Sequence, residues 1–206
     1  MALTLYTNPM SRGRMARWMM EEVGEPYEAR ILDFGPAMKA PEYRAINPMG
    51  KVPALVHDGT VVTEVPAILS YMAEAFPQAG PMPQDRAGFF RWMFFGAGPL
   101  EYAVTNTALK VEVPPERRGM VGYGCLEDVV AALAGHLEGR TYFCDERFSV
   151  VDVYLGSQIG WGLRFGTLPS EPAFTAYWDR IKDRPAHLKA SETDDRLLAE
   201  RTTTHA

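Results

Sequence analysis

The chain has 206 residues, 47% of them hydrophobic and 23% charged, with a formal net charge of -5 at pH 7. That length is sufficient for one large domain or two small ones with a real core. An acidic chain without a basic tract does not suit a general nucleic-acid or anionic-membrane binder, so we expect neither partner. The sequence also has no apolar run of roughly 18 residues that could span a bilayer.

Two cysteines, Cys125 and Cys144, stand late in the chain without CxxC or CxxH spacing. This arrangement predicts neither a metal site nor a redox dithiol. We expect both thiols to be reduced and the protein to be cytoplasmic. The first residues agree with that location, because they lack the basic and apolar segments of a secretion signal.

The first third of the chain has a strand, helix, strand pattern. Alternation over residues 3–6 predicts a strand, and residues 27–32 alternate again. Between them, apolar residues at helical spacing predict a helix with Ser11 as its N-cap and Gly24 as its end. Because a helix connects the two strands, we expect them to be parallel.

The next segment predicts a hairpin followed by a helix. Residues 54–56 and 60–62 are short strands joined through His57, Asp58 and Gly59, a turn typical of antiparallel hairpins. Pro66 then occupies the first turn of a helix that ends before Pro77. This order of elements is that of a thioredoxin-like α/β domain.

The rest of the chain predicts helices. Residues 77–84 contain three prolines and a glycine and form the predicted linker, so we expect an N-terminal domain over 1–76 and an all-α domain over 85–206. Gly96 to Pro99 should kink or split the first long helix. The predicted helices cover residues 86–110, 114–137, a segment beginning at Ser149, 171–182, and a short last one from Arg184.

Ser149 and Asp152 have the spacing of a helix capping box. An acidic residue here could also be interpreted as catalytic. We favour the structural interpretation, in which Asp152 reaches back to the residue that begins the helix.

Two short motifs give a resemblance to a known family. They are NPMGKVPAL at residues 47–55 and EVPAIL at residues 64–69, separated by the hairpin. Together they resemble the glutathione-binding half of the cytosolic glutathione transferases, and the resemblance extends more weakly over the helical part. Val65 departs from the family pattern, which usually has serine there.

The resemblance implies an enzyme that activates the thiol of glutathione for attack on a hydrophobic electrophile, with a role in detoxification. Related peroxidase or isomerase chemistry with glutathione is compatible with the same site. It also implies a homodimer. The alternative is a catalytically weak binding or regulatory protein of the same fold, and Val65 keeps that alternative open.

The thiol should lie at the loop between the first strand and the first helix, because a helix N-terminus and a hydroxyl donor both favour a thiolate. Ser11 is the first candidate for the donor, followed by Asn8 and then Tyr6. No cysteine precedes Cys125, so the resemblance is to serine-type rather than cysteine-type members.

The resemblance places five residues at the peptide. Val52 would pair through its backbone with the cysteinyl part, in the manner of an added strand, and a cis bond before Pro53 would aim those groups. Glu64 and the N–H of Val65 would meet the γ-glutamyl end. Lys51 would meet the glycine carboxylate.

The resemblance also implies a pocket for the hydrophobic co-substrate, formed by the first loop and the helical domain. The residues that we expect there are Met10, Arg12, Phe95, Tyr102, Trp161 and Arg164.

Overall fold

The structure, a computed structural model, describes the backbone of residues 2–204 and the side chains of residues 2–201. The chain divides into two compact units. The first comprises the described part of Met1–Met82 together with Arg184–Ala206, and the second is Pro83–Asp183. Over residues 2–204, no helix combines the length and the apolarity that crossing a bilayer requires.

The first unit contains a four-stranded sheet, formed by β1 (Leu3–Thr7), β2 (Glu28–Ile31), β3 (Ala54–His57) and β4 (Thr60–Thr63). The strand order is β2-β1-β3-β4. β1 pairs with β2 in parallel and with β3 antiparallel, and β3 and β4 form the antiparallel hairpin. The sheet therefore confirms the predicted thioredoxin-like order.

Two main helices pack near this sheet. α1 is Gly13–Val23 and ends at Gly24, which adopts the left-handed conformation. The short helices α2 (Pro36–Lys39) and α3 (Pro41–Arg44) follow β2, and α4 (Val65–Ala75) follows β4. The start of α1 differs from the prediction by one residue, because Arg12 rather than Ser11 occupies the N-cap position.

The second unit is helical. α5 (Arg86–Phe95) runs into a π-helical turn at Gly96–Leu100 and continues as α6 (Glu101–Ala108), so the predicted interruption is present. α7 is Leu126–Leu137, α8 is Val150–Phe165 and α9 is Pro172–Ile181. These elements confirm an all-helical second unit.

The single helix predicted over residues 114–137 is wrong. Pro115–Met120 is a 3-10 helix, Val121 is extended, and α7 begins only at Leu126. Gly124 lies between them with φ +66°, a left-handed conformation that suits glycine and cannot continue a helix.

The last helix, α10 (Pro185–Thr204), is 20 residues long and not short. It packs on α1 and belongs to the first unit, whereas the sequence boundaries placed it in the helical domain. Its weak apolar periodicity explains the difference, since charged pairs with α1 carry much of the contact. Arg201 is still helical and pairs with Asp33; residues 205–206 lie outside the described residues.

Candidate glutathione site

A groove of about 390 Å³ opens beside the N-terminus of α1. Three segments of the first unit border it: the loop after β1, the start of α2, and the turn that precedes β3. The lining residues are Met10, Ser11, Arg12, Phe34, Gly35, Met38, Lys39, Gly50, Lys51 and Val52.

The lining is electropositive. Arg12, Lys39 and Lys51 all border the groove, and no carboxylate is among its described lining residues. Clustered cations of one sign raise the local concentration of anions. The groove therefore suits a ligand with several negative charges.

The groove wall at Lys51 and Val52 is fixed by side chains that do not line the groove. Tyr43 and Asn47 both donate hydrogen bonds to the Lys51 carbonyl, at 2.6 and 2.7 Å. The peptide bond between Val52 and Pro53 is cis, in agreement with the resemblance. Val52 lines the groove, whereas Pro53 is buried behind it.

Ser11 lies at the mouth of α1 and lines the groove. Its hydroxyl accepts a hydrogen bond from the N–H of Gly13 at 2.9 Å and donates one to the Asn8 carbonyl at 2.7 Å. The hydroxyl hydrogen would have to turn from that carbonyl to reach a sulfur atom. Ser11 is thus at the predicted place with its hydrogen already engaged.

Asn8 and Tyr6, the second and third candidates, do not line the groove. The Asn8 side chain is 3% exposed, donates to the Leu32 carbonyl and accepts from the N–H of Met10. The Tyr6 hydroxyl accepts from Arg30, and its ring packs on Tyr43 with centroids 5.5 Å apart. Asn8 thus shapes the loop, whereas Tyr6 contacts the neighbouring strand and α3.

α1 approaches β1 very closely at Gly13. A Cβ atom at that position would lie 1.9 Å from Oγ1 of Thr7, an impossible contact. The Thr7 hydroxyl is buried, and it has no hydrogen-bond partner within the described part of the chain. With α1 and the Thr7 side chain in these positions, only glycine fits at position 13.

Glu64 and Val65 begin α4. Glu64 is exposed and has φ 69° and ψ 125°, a conformation that a residue with a side chain rarely adopts. Val65, the first helical residue, is 7% exposed. Such helix starts present N–H groups without intrahelical partners, which suit a carboxylate. Neither residue lines the groove described above.

The residues expected to bind the co-substrate fall in both units. Met10, which is 64% exposed, and Arg12 line the groove of the first unit. The other four lie on helices or helix ends of the second unit: Phe95 and Trp161 are half-buried, and Tyr102 and Arg164 are exposed.

The sequence analysis missed Lys39 and Gly50. Lys39 donates to the carbonyls of Met49 and Gly50, at 2.8 and 2.9 Å, and so ties α2 to the turn before β3. Gly50 has φ 57°, and a Cβ there would lie 2.4 Å from the Met38 carbonyl oxygen. The family motif contains Gly50, and this close contact could have been suspected from it. Lys39 stands in a segment without periodicity that gave no signal.

Asp152 has the predicted structural role. It accepts hydrogen bonds from the N–H and hydroxyl of Ser149, the N–H of Phe143 and the hydroxyl of Tyr177, all within 3.0 Å. Burial raises the pKa of Asp152, while these donors oppose the rise. Its four donors connect the start of α8 to the rest of the helical unit.

Cys125 and Cys144 are both free thiols, and Cys144 is buried. In the part of the chain that the structure describes, no three His, Cys, Asp or Glu side chains converge in a way that could hold a metal ion.

Comparison with known proteins gives a consistent result. The family model for the glutathione S-transferase N-terminal domain matches residues 10–75, and that for the C-terminal domain matches residues 125–185. Glutathione S-transferase GST-4.5 of Xanthomonas campestris is 26% identical to this chain. The match covers 87% of this chain and 92% of that protein. Glutathione S-transferase GstA of Escherichia coli O157:H7 is 29% identical over 77% of this chain and 78% of its own.

Among solved structures, a sphingomonad glutathione S-transferase complexed with glutathione superposes with a TM-score of 0.75. It is 29% identical, and the match covers 93% of this chain and 98% of that one. The fold and the two matched domains together define a two-domain transferase. The chain belongs to the glutathione S-transferase family.

Proposed function

We propose that the groove beside α1 binds glutathione and that the protein joins the whole peptide, through its sulfur, to a hydrophobic electrophile. The observation that supports this most directly is the trio of cations, Arg12, Lys39 and Lys51, on a groove whose described lining has no carboxylate. Glutathione carries two carboxylates and one ammonium group, and its thiolate adds a further negative charge. The protein is therefore a glutathione transferase whose site matches the charge of the activated peptide.

The proposed position of the peptide follows from the backbone. Val52 lies at the groove just before β3, where its N–H and C=O can pair with an extended peptide. Lys51 and Lys39 are then placed for the glycine carboxylate. Glu64 and the N–H of Val65, at the start of α4, are placed for the γ-glutamyl end.

The thiol would lie at Ser11. A free thiol with a pKa near 8.5 is only a few per cent ionised at neutral pH, and the thiolate is the nucleophile. A hydrogen bond from Ser11, the positive end of α1 and the charge of Arg12 all favour the ionised form. We propose a serine-type mechanism. When glutathione binds, the Ser11 hydroxyl turns away from the Asn8 carbonyl and donates its hydrogen bond to the sulfur instead.

The transfer itself is a displacement. With an electrophilic aryl halide, the thiol proton passes to solvent and the sulfur lone pair forms the new carbon–sulfur bond. The halide leaves with the electrons of the bond that breaks. Met10, Arg12, Phe95, Tyr102, Trp161 and Arg164 remain the residues proposed for the electrophile.

We also propose that the protein is a homodimer, as the family resemblance implies, and that it is cytoplasmic. Phe90 and Phe94 stand one helical turn apart on α5 and are 52% and 72% exposed, which supports an apolar contact surface there. Sedimentation of the purified protein at micromolar concentration tests the dimer directly.

Calorimetric titration with glutathione, followed by turnover of an electrophilic aryl halide, tests the function. We expect binding and turnover in the wild type, and Ser11→Ala should raise the thiol pKa read from the pH profile of kcat/KM. Tyr6→Phe is the matched control, because it removes a hydroxyl that does not line the groove. Binding without turnover would support the regulatory alternative, and absence of binding would refute the proposal.

A further inference from the structure

Four ion pairs join α1 to the C-terminal segment in an antiparallel register. The first half of α1 contributes cations and the second half contributes carboxylates. The pairs are Arg14–Asp195 at 2.6 Å, Arg17–Asp194 at 2.9 Å, Glu21–Lys189 at 2.6 Å and Glu22–Arg184 at 2.8 Å. Reversing or sliding either helix would place like charges together, so the pattern fixes how α10 lies on α1.

We call these four ion pairs the seam between α1 and the C-terminal segment. The pair of Arg17 with Asp194 is its buried member. The two side chains are 2% and 0% exposed. Arg17 also donates to the Tyr27 hydroxyl at 3.1 Å. Removing one member of a buried pair leaves an uncompensated charge, which is strongly destabilising. This pair therefore holds the helices together but is a poor place to test function.

Arg14 extends the seam to the loop that lines the groove. Its Nε donates to the Pro9 carbonyl at 2.6 Å, while Nη2 pairs with Asp195. Pro9 directly precedes Met10, the first of three consecutive lining residues. A planar guanidinium holds two partners in one fixed geometry. The position of α10 is thus transmitted through one side chain to the backbone beside Ser11.

A second contact reaches the other border of the groove. Arg201, near the end of α10, pairs with Asp33. Asp33 directly precedes Phe34 and Gly35, which also line the groove. α10 is therefore linked to both segments that border the proposed peptide site, to the first loop through Arg14 and to the second directly through Asp33.

We infer that Arg14 and Asp195 are positioning residues for glutathione activation, through which the C-terminal helix sets the loop that carries Ser11. This inference rests on the proposed function. Neither residue lines the groove, so they act through the Pro9 carbonyl and not by touching the peptide. The consequence is a dependence of thiol activation on a helix that contributes no side chain to the groove.

The test uses the full-length protein and three variants. Asp195→Asn removes one charge from a side chain that is 65% exposed, so folding should be retained. Arg14→Met removes both bonds of the guanidinium. Lys189→Met is the matched control, since it breaks an ion pair between the same two helices without a link to the loop.

We expect Asp195→Asn to weaken glutathione binding about threefold, the range of an exposed ion pair, and Arg14→Met to weaken it about tenfold. Both should raise the thiol pKa in the pH profile of kcat/KM, a readout that a purely stabilising contact would not move. Asp195→Glu, which keeps the carboxylate, should restore most of the wild-type value. Lys189→Met should match the wild type.

Two results would overturn the inference while leaving the proposed function intact. In the first, the wild type binds glutathione and both loop-linked variants bind it equally well with an unchanged thiol pKa. In the second, Lys189→Met produces the same loss as Arg14→Met, which would indicate helix docking in general. A wild type that fails to bind glutathione would instead refute the proposed function itself.

Discussion

Tyr43 donates its phenolic hydrogen to the carbonyl oxygen of Lys51 across 2.6 Å, and so links α3 to the turn that precedes β3. Asn47 donates to the same oxygen at 2.7 Å. The carbonyl that these two side chains hold is adjacent to Val52, whose backbone is proposed to pair with the peptide. The groove wall is therefore fixed by groups that lie behind it.

Tyr43→Phe should weaken glutathione binding. The substitution removes one donor from Lys51 and keeps the ring, at a cost of about 1 kcal/mol in the free energy of unfolding. We expect a severalfold rise in the dissociation constant by calorimetry. Tyr71→Phe is the control, because its hydroxyl pairs with His57 at 2.9 Å and does not line the groove. Equal effects of the two substitutions would contradict the assignment.

Val65→Ser should strengthen glutathione binding. A serine hydroxyl in the first turn of α4 would add a donor for the γ-glutamyl carboxylate, a gain of about 1 kcal/mol. Val65→Ala controls for the loss of buried side-chain volume at this position. Calorimetry should rank serine above valine; equal affinities for serine and alanine would refute the placement of that carboxylate.

Asp152→Ala should destabilise the helical unit without acting on the thiol. It leaves Ser149, Phe143 and Tyr177 without an acceptor in the interior, which costs about 3 kcal/mol or more. The midpoint of chemical denaturation should fall clearly. At denaturant concentrations where the variant is folded, the thiol pKa from the pH profile of kcat/KM should equal the wild-type value. A shifted pKa would reveal a catalytic contribution of Asp152.

The two cysteines should react very differently with an alkylating reagent. Burial raises the pKa of Cys144 to about 12, so at pH 8 its thiolate is scarce as well as inaccessible. Cys125 is partly exposed. Mass spectrometry of the native protein should find label on Cys125 only, and on both after unfolding. Rapid labelling of native Cys144 would contradict its buried position.

Alkaline solution should destabilise the fold through its tyrosines. Burial raises the pKa of Tyr27 and of Tyr43 from 10.0 to about 12. Since both folded-state values lie above the unfolded value, their stabilisation is complete below pH 10 and is lost as the pH rises towards 12. Denaturation midpoints should fall across this window, and Tyr43→Phe should make the fall less steep. An identical slope in the variant would refute the raised pKa.

Local signals explain what could be predicted from the sequence. The hairpin turn at Asp58–Gly59 and the capping box at Ser149–Asp152 are set by residues within four positions of one another. Val52 was predicted from the family motif, and Ser11 from the expected position of the thiol at the start of the first helix; the structure places both at one groove. The parallel pairing of β1 with β2 followed from the helical crossover, and the antiparallel pairing of β3 with β4 from the hairpin turn.

The remaining features depend on contacts between distant residues. Lys39 gains its role from carbonyls ten and eleven positions away in the sequence. α10 was predicted too short because its apolar stripe is weak, and Asp194 is explained only by Arg17, 177 positions earlier. Such charge pairs leave no mark on the local pattern of either segment.

The contact of Gly13 with Thr7 sets a limit on how this protein can vary. Alanine at position 13 would place its methyl carbon 1.9 Å from the Thr7 hydroxyl oxygen, so either the start of α1 or the threonine side chain would have to shift. Engineering of the first loop must therefore treat this glycine as fixed and seek new reactivity in Met10, Ser11 and Arg12. The spacing between α1 and β1 leaves room at position 13 for a hydrogen atom and for no larger substituent.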